Sequence, residues 1–211
     1  MSGRKKQRQI QPVESRSEKR RTYQEQVKRY NTAIREGFYL EAIMIDYACM
    51  EDRLKYMLFY LGLITNESDY QITGNSLRVQ SFREILHEYV SPKEKLSISS
   101  ISAKRAIVQG VFCMANADEN PANGNSFKSI LWKALHDQEH ITEILSILKE
   151  MEGWCDYRNE VVHALLNKNT DSLYAQLEHQ AAAGFKLFRR LDNQVQWVRR
   201  KRLREKMKLN P

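Results

Sequence analysis

Two hundred and eleven residues suffice for one compact domain with a sizeable core and are too few for two comfortable ones. Only eight glycines and four prolines punctuate the chain, while strong helix formers abound, so an all-α helical bundle is expected rather than a sheet. The net charge of +8 is spread unevenly: residues 1–29 hold ten Lys/Arg against three Asp/Glu and residues 186–211 ten against two, which leaves −7 for the middle.

In chain order, residues 1–16 read as a disordered basic arm, without the apolar stretch of a secretory leader. A helix is expected from about Ser17 to Arg35, where Gly37 interrupts. A long helix over residues 38–63 follows. Its apolar positions, Tyr39, Ala42, Ile43, Ile45, Met50, Leu54, Met57, Leu58 and Leu61, form the broad face of a central bundle helix. Asp46, Glu51, Asp52, Arg53 and Lys55 interrupt this most apolar run, so it is not a membrane span. Residues 65–76 form a loop, and a short helix over 79–90 ends at Ser91-Pro92. Another helix covers about 98–116. Residues 117–126, "ADENPANGNS", are the clearest break in the chain, with turn residues at almost every position. Two helices or one bent helix follow to Met151, Gly153 is expected to interrupt, and a further helix carries "YRNEVVHALLNKN", residues 157–169. The last helix starts near Leu173 and enters the basic C-terminal tail, placed at residues 199–211; the single domain is placed at 17–198.

Cys49, Cys113 and Cys155 are odd in number and scattered among apolar residues, so they read as buried free thiols in a reducing compartment, and a cytoplasmic location is expected. Two basic ends on an acidic body suit a polyanion such as RNA or DNA. Their plainer reading is a solvated arm and a frayed helix end, and the N-terminal run also fits a nuclear-localisation signal. His136 and His140 in "HDQEH" stand at i, i+4 without an obvious third ligand, so neither a metal nor any other cofactor is assigned. No phosphate-loop, dinucleotide or nucleophile-elbow motif occurs.

The polar residues of the late helix are the candidate site. Trp154, Tyr157, Val161 and Leu165 line one stripe of it. His163 points away from that stripe, about 180° from Trp154. Asn159 and His163 stand at i, i+4 and share a face. Arg158 lies roughly 140° from His163 on an ideal helix, so it converges with the histidine only through an irregular helix start near Gly153 or by folding its long side chain across the surface. With 18 arginines and five histidines in the chain, R-x4-H arises readily by chance; the asparagine directly after the arginine is what makes the pattern specific.

"RNEVVH" followed by "ALL" resembles the R-N-x-x-x-H signature of the HEPN superfamily, compact helical bundles found among toxins, phage-defence nucleases and RNA-processing enzymes. The likeness in helix pattern covers roughly residues 38–185. An acidic residue on an earlier long helix accompanies the family motif, and Glu51 matches it, with Asp52 as the alternative. The resemblance implies a metal-independent endoribonuclease acting as a homodimer on RNA, leaving 2′,3′-cyclic phosphate and 5′-hydroxyl ends, in a toxin or antiviral defence setting. Where toxins of this family that a nucleotidyltransferase silences carry a tyrosine, this chain has Leu165, which excludes modification there; another regulatory protein partner stays open. The residue types suit that chemistry independently: His163 for proton transfer near neutral pH, Arg158 for phosphate charge, Asn159 for positioning. The competing readings are a non-catalytic helical module binding RNA or protein, and a DNA-binding regulator using the basic final helix.

Overall fold

The computed structural model describes residues 16–64, 77–90, 98–120, 126–164 and 171–207. Within them the chain is all-α: α1 (Arg16–Arg35), α2 (Tyr39–Tyr60), α3 (Leu77–Tyr89), α4 (Ile101–Ala115), α5 (Phe127–Leu135), α6 (Gln138–Ala164), α7 (Asp171–Arg200) and the single turn α8 (Leu203–Lys206). None of these helices is long and apolar enough to cross a membrane. The basic arm, the loop over 65–76, Ser91-Pro92, residues 121–125 of the expected break and Leu165 lie outside the described residues.

Helices α2 and α7 make the most extensive pairing, and α1 and α4 also pack against α2. Helix α4 in turn meets α3, α5 and α6, and α6 packs back on α7. The apolar face expected for α2 is what closes this arrangement: Ala42, Ile43, Met50, Leu54, Met57 and Leu58 have at most traces of exposure, and burying side chains of this size contributes roughly 1.5–3 kcal/mol each. Tyr39 and Ile45 are only half-buried at its edge. Helix boundaries follow local chemistry. Ser100 Oγ accepts from the Ala103 amide at 3.1 Å and Ser126 Oγ from the Ser129 amide at 3.3 Å, capping α4 and α5. Gly37 and Gly62, at φ +77° and +79°, take the left-handed conformation that ends α1 and α2 at little steric cost.

Two expectations are corrected. Gly153 does not interrupt: α6 runs through it to Ala164. A glycine in a helix interior costs about 1 kcal/mol relative to alanine, and the buried Met151 and Trp154 on either side hold the helix more strongly than that. The C-terminal basic run is also not a separate tail from residue 199. Helix α7 continues to Arg200, Arg202 turns the chain at φ +50°, and α8 follows with Leu203 buried. Arg204 Nη1 then donates to the Ile64 carbonyl at 2.9 Å, satisfying backbone just past the end of α2.

Polar contacts fix the flanking helices. Lys19 and Tyr23 of α1 both reach Asp52 of α2, the lysine at 2.5 Å. Arg53 donates to Tyr23 Oη at 2.7 Å and to Asp192 of α7 at 3.0 Å, tying three helices together. Across the α2–α7 seam, Asp46 is 1% exposed, and its Oδ2 has no hydrogen-bond partner among the described residues. Gly184 makes that seam possible, because a β-carbon there would stand 2.6 Å from the Trp154 ring and 2.8 Å from Asp46 Oδ2.

Candidate functional site

The last three turns of α6 place the motif. Because α6 is regular through residues 154–164, the ideal-helix geometry holds: Asn159 and His163 are both exposed, one turn apart on the same face. Arg158 leaves that face. Its guanidinium lies over the Tyr47 ring of α2, with Cζ 4.4 Å from the ring centroid, and its Nη2 donates to Met44 Sδ at 3.3 Å. Nη1 donates to Asn159 Oδ1 at 3.0 Å. The buried Nε has no partner among the described residues. Within one chain, therefore, Arg158 and Asn159 are joined, and His163 stands one turn further along Asn159's face. The long arginine does fold across the surface, but toward α2 rather than toward the histidine.

Glu51 and Asp52 are adjacent in sequence, about 100° apart around α2, and meet different helices. Asp52 turns to α1 and is occupied by Lys19, Tyr23 and Arg53. Glu51 turns to the motif side, where it accepts from Lys104 Nζ of α4 at 2.7 Å. The charges of Glu51 and Arg158 both act on Tyr47 and on Cys155, so the two residues flank a common spot. Burial, followed by Glu51, raises the Tyr47 phenol above its ordinary range, and Arg158 opposes this. Burial pushes the Cys155 thiol up to about 11, which keeps it an unreactive thiol at neutral pH. Cys49 is likewise buried and raised, while Cys113 is half-buried; all three are free.

Three contributors were missed in the sequence. Tyr47 and Met44 seat Arg158, and Lys104, only 3% exposed, holds Glu51. Tyr47 could have been found as the residue one turn before Glu51 on the same face of α2. Lys104 carried no local signal.

The electrostatic setting is mixed. Glu152, Asp156 and Glu160 are exposed along α6 beside Asn159 and His163, with Glu152 paired to Arg105 at 2.6 Å. The basic charge sits elsewhere. Lys19 lies 5.0 Å from the Tyr56 ring centroid and Arg204 4.1 Å from that of Phe59, so the start of α1 and the end of α7–α8 converge around the C-terminal end of α2. Tyr47 and Phe59 are twelve residues apart, about 18 Å along the helix.

The two histidines of "HDQEH" take different neighbours. His136, just before α6, stacks on Trp132 and bonds the Ala115 carbonyl at 2.9 Å; His140, in the first turn, stacks on Trp197 and bonds Gln194 at 2.8 Å. Among the described residues no group of three His, Cys, Asp or Glu is placed to hold a metal ion. The indoles of Trp132 and Trp154 donate to the Ala117 and Gln180 carbonyls, which makes them packing elements rather than a stacking platform for bases. Compared with known proteins, the chain matches no family model, no curated protein and no solved structure.

Proposed function

We propose that this chain is an endoribonuclease of HEPN type whose reaction centre is completed by a second copy. The observation that carries the reading is the division of the motif: an exposed His163 shares its face with Asn159, and Asn159 is hydrogen-bonded to an Arg158 held on Tyr47. One chain thus offers a single proton-transfer group and a single, differently directed guanidinium. Cleavage through the 2′-hydroxyl needs a base on one side of phosphorus and an acid on the other, which two copies related by a two-fold axis supply.

In that arrangement one His163 takes the 2′-hydroxyl proton as O2′ attacks phosphorus. The P–O5′ bond breaks, and the partner subunit's His163 protonates the leaving 5′-oxygen. The products are a 2′,3′-cyclic phosphate and a 5′-hydroxyl. The paired Arg158 side chains stabilise the extra negative charge on the non-bridging oxygens, and Asn159 holds guanidinium and phosphate in register. Each step uses the chain's own groups, so no metal is required. Glu51 acts at one remove, through Tyr47 and Lys104. The basic surface at the far end of α2 holds RNA backbone on either side of the cut without choosing its sequence.

The exposed Glu152, Asp156 and Glu160 favour a second reading, a helical module that binds protein through the motif face. One experiment separates them: purified chain is incubated with labelled RNA in excess EDTA, beside His163→Ala and Arg158→Ala variants of verified fold. Cyclic-phosphate ends from the wild type alone support the nuclease. Equal behaviour of all three, active or inactive, leaves the binding module.

A further inference from the structure

We propose that the hollow between α6 and α7 over Gly153 is a subsite for single-stranded RNA, taking one base and its flanking phosphates at a distance from the reaction centre. The proposal rests on RNA as the substrate read above and adds a place that holds it. Gly153 stands inside a 27-residue helix, where glycine is disfavoured, and a β-carbon there would meet no atom within 4 Å. Packing therefore does not require this glycine, in contrast to Gly110 and Gly184, whose β-carbons would stand 2.9 Å and 2.6 Å from neighbouring side chains. What it leaves open is a hollow of about 730 Å³, a size that holds small ligands. The buried Trp154 and Leu187, with the half-buried Ala183, give the hollow an apolar floor. Lys149, His179, Lys186 and Arg190 also line it, and Glu150 is the only acid among the described lining residues.

Charge and geometry select the occupant. Arg190 donates to both oxygens of Glu143 and of Glu150 at 2.8 to 3.0 Å, so its guanidinium is fixed and its charge is spent within the fold. Lys149 on α6 and Lys186 on α7 are exposed on opposite walls, and these three cations against two carboxylates leave one net positive charge. A point charge on each wall beside apolar surface suits a base on the floor with a phosphate to either side. The Trp154 indole gives its N–H to the Gln180 carbonyl, so the floor adds contact without reading base edges. A base reaches such a floor only when it is unpaired, which excludes a duplex. Lys149 and His163 stand about 40° apart around the regular α6 and about 21 Å apart along it, a span of about six stacked nucleotides. Asp156 and Glu160 are exposed between them, so the strand is held at the hollow and at the motif and not in between.

The test is fluorescence anisotropy of the full chain with a labelled 2′-O-methyl strand, which lacks the attacking hydroxyl, over a salt series. Gly153→Leu fills the hollow and is expected to raise Tm, since leucine is the better helix former, while raising Kd about tenfold, the worth of one base contact. Its salt slope should stay that of the wild type. Lys149→Ser with Lys186→Ser should instead flatten the slope by about 1.4, two phosphates at about 0.7 each. A variant that is more stable and yet binds less cannot be explained by unfolding. An unchanged Kd in Gly153→Leu, or an unchanged slope in the lysine pair, overturns the proposal. So does adenosine monophosphate bound as tightly as the strand, which gives the hollow to a free nucleotide, or a duplex bound with the same sensitivity to Gly153→Leu. Binding that responds in these ways without cleavage of unmodified RNA removes the nuclease and keeps the subsite; cleavage with a KM that neither variant moves does the opposite.

Discussion

Asp46 makes the sharpest quantitative demand on the structure. Its carboxyl is 1% exposed in the α2–α7 seam, Oδ2 has no partner among the described residues, and burial raises its pKa from 3.8 to about 8. Below the unfolded pKa the group is protonated in both states and folding is not penalised. As pH rises, the unfolded chain releases the proton and the native state keeps it, so stability falls until the native group itself ionises near pH 8. The slope is about 1.4 kcal/mol per pH unit, and the span from 3.8 to about 8 sets an upper limit of roughly 6 kcal/mol on the loss. Asp46→Asn removes the titration at the cost of an amide in the same seam, an offset of about 1–3 kcal/mol that does not depend on pH. Urea unfolding followed by far-ultraviolet circular dichroism from pH 5 to 8 should show wild-type stability declining relative to the variant by about 1 kcal/mol per pH unit. The constant offset cancels in that comparison. Parallel curves for the two proteins would mean that Asp46 is ionised in the native state, and the argument from burial would fail.

Three further outcomes are expected. Glu51→Gln strands the nearly buried Lys104 and should cost about 3 kcal/mol in chemical denaturation, most of it recovered when Lys104→Met is added. Gly184→Ala places a β-carbon against the Trp154 ring and Asp46 and should lose about 1–3 kcal/mol by overpacking, read as a lowered Tm. If the basic end of α7 holds RNA backbone, replacing Arg199, Arg200, Lys201 and Arg202 by serine should flatten the salt dependence of binding by about 0.7 for every phosphate that is no longer neutralised, measured by fluorescence anisotropy over a salt series.

How much of this was legible beforehand depended on distance along the chain. The helix-forming pattern of residues 38–63 and the turn cluster at 117–126 are local signals; α2 follows the first, and α4 and α5 end and begin on either side of the second. Gly153 misled because a weak local preference was weighed without the Met151 and Trp154 packing that overrides it. The facing of Asn159 and His163 needed only helical arithmetic. The destination of Arg158 needed Tyr47 and Met44, over a hundred residues earlier, and no spacing rule reaches that far. His136 and His140 looked like a pair because of their spacing, yet α6 begins at Gln138 and separates them, so each ring finds its own tryptophan. Asp46 read as an interruption of an apolar run. Its burial follows from Gly184, which lets α7 approach closely enough to cover it.

The α2–α7 pairing also governs when this protein can exist as a folded object. The two helices that pair most extensively, α2 and α7, are separated by more than a hundred residues, and Arg204, which satisfies backbone at the end of α2, comes after both. Loop closure over such a separation has to precede the reward of packing. During synthesis the part of the α2 face that α7 covers therefore waits until α7 has emerged, and the seat of Arg158 on that same helix waits for α6. The α2–α7 core therefore forms late, and apolar surface that is exposed in the meantime is prone to aggregate.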